Sequence, residues 1–158
     1  MKFISHRGNI DGPNPEREND PEYIQEALDK GFEVEVDVWF INGDFYLGHD
    51  YGQYKITNPD LLYDKRVWCH AKHIKALKEM IEENIHCFWH QNDNYTLTSN
   101  KYIWAYPLKI YNPHTIAVLP ENNNVIPEHL VKCVGICSDN IAYYKKEFEL
   151  IRLTKEIK

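Results

Sequence analysis

The sequence predicts a parallel α/β architecture. Short runs of alternating apolar residues recur along the chain, and several lead into stretches with helical periodicity, the pattern of strands joined by crossover helices. One strand signal and one helix signal are especially strong: the strict alternation from Phe32 to Trp39, and the helix start at Asp20-Pro21. With 158 residues, 43% of them hydrophobic, the chain suffices for one domain spanning 1–158. A domain of that size buries roughly two thirds of its unfolded surface.

Taken in order, residues 2 to 6 form a first buried strand ending at His6, and a Gly-, Pro- and Asn-rich loop follows from Gly8 to Asn19. Asp20 is a good N-cap with Pro21 at the first helical position. Ile24, Ala27 and Leu28 form an apolar stripe, and Gly31 stands where a helix terminates. In the next strand Phe32, Val34, Val36 and Val38 share one face, and Glu33, Glu35 and Asp37 share the other. Asn42-Gly43 is a strong hairpin signal, so the chain turns back through Phe45, Tyr46 and Leu47 toward His49. Val67 to Lys72 is another strand, with Trp68, His70 and Lys72 on one face. Ile74, Leu77 and Ile81 mark a helix stopping near Asn84. Further apolar runs lie at His86 to His90, Tyr102 to Tyr106, Thr115 to Leu119 and Val134 to Cys137. A helical pattern covers Tyr143 to Leu153.

Composition excludes several function classes. A net charge of −6 argues against a nonspecific nucleic-acid binder, whose affinity comes from clustered Lys and Arg. The start lacks the apolar core of a signal peptide and no stretch approaches ~20 apolar residues, so a cytoplasmic location without stable membrane association is expected. Cys69, Cys87, Cys133 and Cys137 contain no C-x-x-C pair and read as buried free thiols.

Three polar pairs carry the chemistry: His6-Arg7, then Glu35 and Asp37, then His49-Asp50. Two carboxylates on one strand face are half of a hard-metal site, and an acidic face this regular is costly unless something positive meets it. Imidazoles bracketing them in sequence suit proton transfer near neutral pH. A metal flanked by an acid and a base suggests phosphoester chemistry.

These residues resemble the glycerophosphodiester phosphodiesterase family, within the wider phosphatidylinositol-phospholipase-C-like superfamily. The resemblance runs through His6-Arg7-Gly8, Glu18-Asn19, the helix with Ala27 and Gly31, Glu35-Val36-Asp37-Val38 and Gly48-His49-Asp50. It continues more weakly at Trp68-Cys69-His70-Ala71-Lys72 and at Gly135 to Asn140. It implies a TIM-type (β/α) barrel, here shortened and irregular with some helices missing or reduced, because such barrels typically need about 250 residues. It implies His6 and His49 as the catalytic acid and base, Arg7 and Lys72 as phosphate contacts, and Glu35, Asp37 and His70 around one divalent metal ion. The family uses magnesium or calcium. His70 stands where the family usually has a third carboxylate, and a nitrogen ligand shifts preference toward manganese, cobalt or zinc.

The expected activity is cleavage of a small glycerophosphodiester or similar polyol or sugar phosphodiester. The attacker is either water or an internal hydroxyl, which gives a cyclic phosphate. The alternative is a catalytically silent barrel that binds phosphorylated ligands or serves as an assembly partner. Asp50 is expected to orient His49 or a backbone amide, and Glu18 to hold the loop over the site. Asn19 reads as a turn residue, and Asp139 as either a helix cap or a site wall. His90 and Asp93 fit either the mouth of the site or a capped loop. Trp39, Trp89 and Trp104 are candidates for substrate selection, although the aromatic content also reads as core filler.

Overall fold

The computed structural model describes residues 1–107, 109 and 111–156, with side chains of the last helix described through Thr154. Ten strands form one sheet: β1 (Lys2–His6), β2 (Glu33–Ile41), β3 (Asp44–Leu47), β4 (Tyr54–Lys55), β5 (Val67–Ala71), β6 (Cys87–Phe88), β7 (Tyr95–Leu97), β8 (Ile103–Ala105), β9 (Thr115–Val118) and β10 (Gly135–Ser138). The helices are α1 (Pro21–Asp29), α2 (Asp60–Tyr63), α3 (Ile74–Glu82) and α4 (Ile141–Glu156). Two 3₁₀ turns, Pro120–Asn123 and Pro127–Leu130, stand between β9 and β10.

Strands β6, β5, β2, β1, β10, β9 and β8 run parallel in that spatial order. They coincide with the apolar runs read from the sequence. Three antiparallel strands are added: β3 and β4 extend the carboxyl half of β2, and β7 borders β8. The architecture is therefore α/β, and the sheet curls into a half-barrel. The expectation of a barrel is corrected on one point: the ring does not close as a (β/α)₈ barrel. Among the described residues no ladder joins β6 to β7 or β8. Only single bonds bridge that seam, such as Ser99 N–H to the Cys87 carbonyl at 2.8 Å. The physical reason is length, since β6 has two laddered residues and β7 and β8 three each.

Strand parity divides the apolar residues into two cores. On the convex face Val34, Val36, Val38, Val67, Cys69 and Ala71 meet the helices, among them Ile24, Ala27 and Leu28 of α1 and Ala76 and Met80 of α3. On the concave face Ile4, Trp68, Phe88, Trp104, Ile116, Val118 and Cys137 pack against one another. Fully burying a side chain of this kind stabilises the fold by about 1.5–3 kcal/mol.

Local signals explain the helix boundaries. Asp20 caps α1 by accepting from the Glu22 N–H at 2.9 Å, Pro21 opens it, and Gly31 follows it at φ +80°. In α3 the start and stop are as read, but the buried face is not. Ala76 and Met80 face the sheet, while Ile74 and Ile81 are 60% and 56% exposed. The His73 ring caps this helix, accepting from the Ala76 N–H at 3.1 Å. The four cysteines are buried free thiols, and no helix of the described residues is long and apolar enough to cross a membrane.

Candidate active site

A cavity of about 480 Å³ opens at the carboxyl ends of the parallel strands. Its lining includes His6, Arg7, Glu35, His49, His70 and Lys72. Six of the seven predicted site residues thus share one cavity. Asp37, the seventh, is fully buried directly behind it.

Asp37 is the electrostatic centre. Its Oδ1 lies 3.0 Å from His70 Nδ1 and 3.2 Å from Lys72 Nζ. Its Oδ2 lies 2.8 Å from Arg7 Nε and accepts from Asn19 Nδ2 at 3.1 Å. Register explains the first contact, because Asp37 and His70 are direct partners on adjacent strands. Burial alone would raise the Asp37 carboxyl, but the His70 hydrogen bond and the charges of Arg7 and Lys72 hold it well below the usual carboxylate range. Glu35 moves the other way. Burial and the neighbouring Asp37 charge push it up, against the opposing pull of His6, Arg7 and His70. Two carboxylates two residues apart on one strand are thereby driven to different proton affinities.

Asn19 is a turn residue, as expected, and it also holds the site. It is fully buried at φ +65°, donates to Asp37 and accepts the Asp37 N–H on its Oδ1 at 2.8 Å. Sequence patterning carries no signal for this, since Asn before an N-cap is ordinary loop chemistry. Arg7 is the matching backbone special at φ +54°, and the Asn19 N–H bonds the Arg7 carbonyl at 3.1 Å. The loop is thus closed across its own base. Glu18 holds it further, accepting from Arg7 Nη1 at 3.1 Å and from Asn9 Nδ2 at 2.9 Å.

His6 is oriented by Asp139, which follows β10 and approaches His6 Nδ1 to 2.7 Å; Nε2 lies 3.9 Å from Glu35 Oε2. Of the two readings open for Asp139, contact with the site is the one observed. Asp139 is itself fixed by Asn9 Nδ2 at 2.7 Å and by its own N–H to Glu121 Oε1 at 2.8 Å. Burial lowers His6, but the Asp139 hydrogen bond and the Glu35 charge outweigh it, and its proton affinity is raised.

His49 reaches the cavity from a turn after β3. Its Nδ1 lies 2.7 Å from Asp50 Oδ1, and the side chain is 48% exposed. Gly48 makes this turn possible at φ +147°, where an added Cβ would lie 2.1 Å from the Tyr51 carbonyl oxygen. Trp39 does not line the cavity. Its indole N–H instead donates to the Gly48 carbonyl at 2.7 Å, pinning the turn that presents His49. Trp89 and Trp104 do line the cavity, with His90 and Tyr106; Asp93 does not.

The donor set fits a divalent ion. Ligand atoms of Glu35, Asp37 and His70 lie within 4.8 Å of one another, and Glu35 Oε2 is buried without a hydrogen-bond partner. Two carboxylates and an imidazole are compatible with manganese, cobalt or zinc as well as magnesium. No family model, no curated protein and no solved structure matches this chain.

Proposed function

We propose that the protein is a metal-dependent phosphodiesterase of the glycerophosphodiester phosphodiesterase type, with a shortened TIM-like barrel, acting on a small glycerophosphodiester or similar polyol or sugar phosphodiester. The observation that carries this reading is the meeting of His6 and His49 in one cavity with Glu35, His70, Arg7 and Lys72. A divalent ion held by Glu35, Asp37 and His70 would supply Lewis-acid stabilisation of the phosphoryl oxygens. Arg7 and Lys72 line the same cavity and add fixed positive charge where negative charge develops, with Asp37 aiming both groups.

The two imidazoles divide the proton work. One takes the proton of the attacking water or substrate hydroxyl, and the other returns a proton to the leaving alcohol oxygen. Each transfer is worth about 10² to 10⁴ in rate. Each ring has its Nδ1 on a carboxylate, Asp139 for His6 and Asp50 for His49, which leaves Nε2 for the reaction.

A second reading is a silent barrel that binds phosphorylated ligands, supported by the four groups already crowding Asp37. Turnover separates the two. The enzyme hydrolyses bis(p-nitrophenyl) phosphate or glycerophosphocholine with magnesium, calcium or manganese, and His6→Ala and His49→Ala each abolish it. No turnover with any of these ions, alongside binding of glycerol phosphate, decides for the silent binder.

A further inference from the structure

The cavity wall facing the carboxylates contains two groups that the two-histidine chemistry leaves unused. Phe88 and His90 are two residues apart at the end of β6, and the His70 ring lies flat against both. Its centroid is 5.2 Å from Phe88 at 2° and 4.4 Å from His90 at 3°. His90 is therefore held in one plane by a ring on the metal-ligand strand. Across from it, Tyr106 follows β8 and places its hydroxyl 2.6 Å from His90 Nε2. Both side chains line the cavity.

The direction of this bond follows from geometry. The Tyr106 hydroxyl is 3.2 Å from His90 Nδ1 and 2.6 Å from Nε2, so Nε2 takes the bond, and in a neutral imidazole one nitrogen carries the N–H while the other accepts. The remaining hydrogen bond of the His90 ring is to the backbone of Gln91. A ring N–H engaged with that backbone leaves the other nitrogen as an acceptor, and the Tyr106 O–H donates to it. Burial and the Glu35 charge keep the phenol protonated. The phenol oxygen then has lone pairs but no proton to offer the cavity.

We infer that Tyr106 is a specificity-determining residue that accepts a hydrogen bond from a free hydroxyl of the substrate's alcohol, with His90 as its positioning residue. This rests on the phosphodiesterase reading and narrows it, selecting a hydroxyl-bearing polyol over an alkyl or aryl substituent. A site built to bond a hydroxyl discriminates against the analogue lacking it, because the buried acceptor is left unpaired.

The test compares kcat/KM for glycerophosphocholine with that for its deoxy analogue, propylphosphocholine. Wild type favours the hydroxylated diester at least tenfold. Tyr106→Phe and His90→Ala reduce that ratio toward one, and His90→Gln, which retains an acceptor, restores part of it. A wild-type ratio below about threefold overturns the inference, whether or not the variants fold, and so does an undiminished ratio in a folded Tyr106→Phe protein. If wild type turns over neither of these diesters nor bis(p-nitrophenyl) phosphate, the phosphodiesterase reading falls. Where neither phosphocholine diester turns over, calorimetry with glycerol phosphate and propyl phosphate decides for Tyr106: tenfold tighter binding of the former, lost in Tyr106→Phe, supports it, and equal binding overturns it.

Discussion

The two ends of the concave face are built from the same strands with the same parity, yet the candidate site lies at only one of them. At the amino-terminal end Lys2 Nζ meets Glu33 Oε1 at 2.7 Å, and the Trp68 indole N–H donates to Glu33 Oε2 at 2.7 Å. Lys2 lies 5.6 Å from the Trp68 and Tyr102 ring centres, and His86 packs 4.4 Å from Trp68. The acid at that end is satisfied inside its own layer, and rings fill the remaining space. Two and four residues further along β2, Glu35 and Asp37 face the mouth instead, where the loops stand away and leave a cavity of about 480 Å³. A regular acidic strand face thus has two different outcomes: a partly exposed ion pair beside packed aromatic rings at one end, and a charge cluster at a cavity at the other.

Substitutions at the two ends should separate these outcomes. The largest effect is expected for Asp37→Ala, which leaves Arg7, Lys72 and His70 buried without their common partner. Loss of one member of such a cluster costs about 3–5 kcal/mol, measurable by urea denaturation. Next is the pH response of His86. Its ring is buried with both nitrogens unpartnered, and burial followed by the nearby Lys2 charge lowers it to about 4. The folded form therefore binds fewer protons than the unfolded chain below the ordinary histidine value near 6.5. Stability is intact above about pH 6.5 and falls as the pH drops toward 4. Between pH 7.5 and 5 wild type should lose about 2 kcal/mol more than His86→Phe. Equal losses in the two proteins would rule out His86 as the source.

Asn19→Ala should come next. It removes both hydrogen bonds to Asp37, at about 1–3 kcal/mol, and any phosphodiesterase activity should fall with it. Glu33→Gln is expected to be the mildest. Lys2 is 29% exposed and retains water, and the amide oxygen still accepts from Trp68, so a change under about 1 kcal/mol is anticipated. A Glu33→Gln loss as large as that of Asp37→Ala would remove the distinction between the two ends.

How much of this was legible depends on whether the information is local. Strand parity placed Glu35 and Asp37 together and Trp68, His70 and Lys72 together, because period-two alternation needs no knowledge of neighbours. The Asn42-Gly43 turn and the Asp20 cap were equally local. The resemblance supplied what parity could not, the pairing of His6 with His49 in one mouth. Legibility failed where a partner lies far along the chain or where an apolar residue has two possible faces. Asn19 on Asp37 and Asp139 on His6 are such partners, 18 and 133 residues apart. In α3 the stripe Ile74, Leu77 and Ile81 matched a helical period, yet the small Ala76 and the adaptable Met80 fit closest to the sheet. A shortened, irregular barrel was legible from chain length, but the place where it opens was not, since nothing in the β6 sequence forbids a longer strand.

The hydrogen bond between His6 and Asp139 joins the first strand to the end of the last. During synthesis the amino-terminal histidine therefore leaves the ribosome long before the carboxylate that aims it, and β1 waits with one edge bare until Gly135–Ser138 arrives to pair with it. Chains cut short before Asp139 would hold His6, Glu35 and Asp37 without that contact, so the orientation of His6 depends on a strand made more than a hundred residues later.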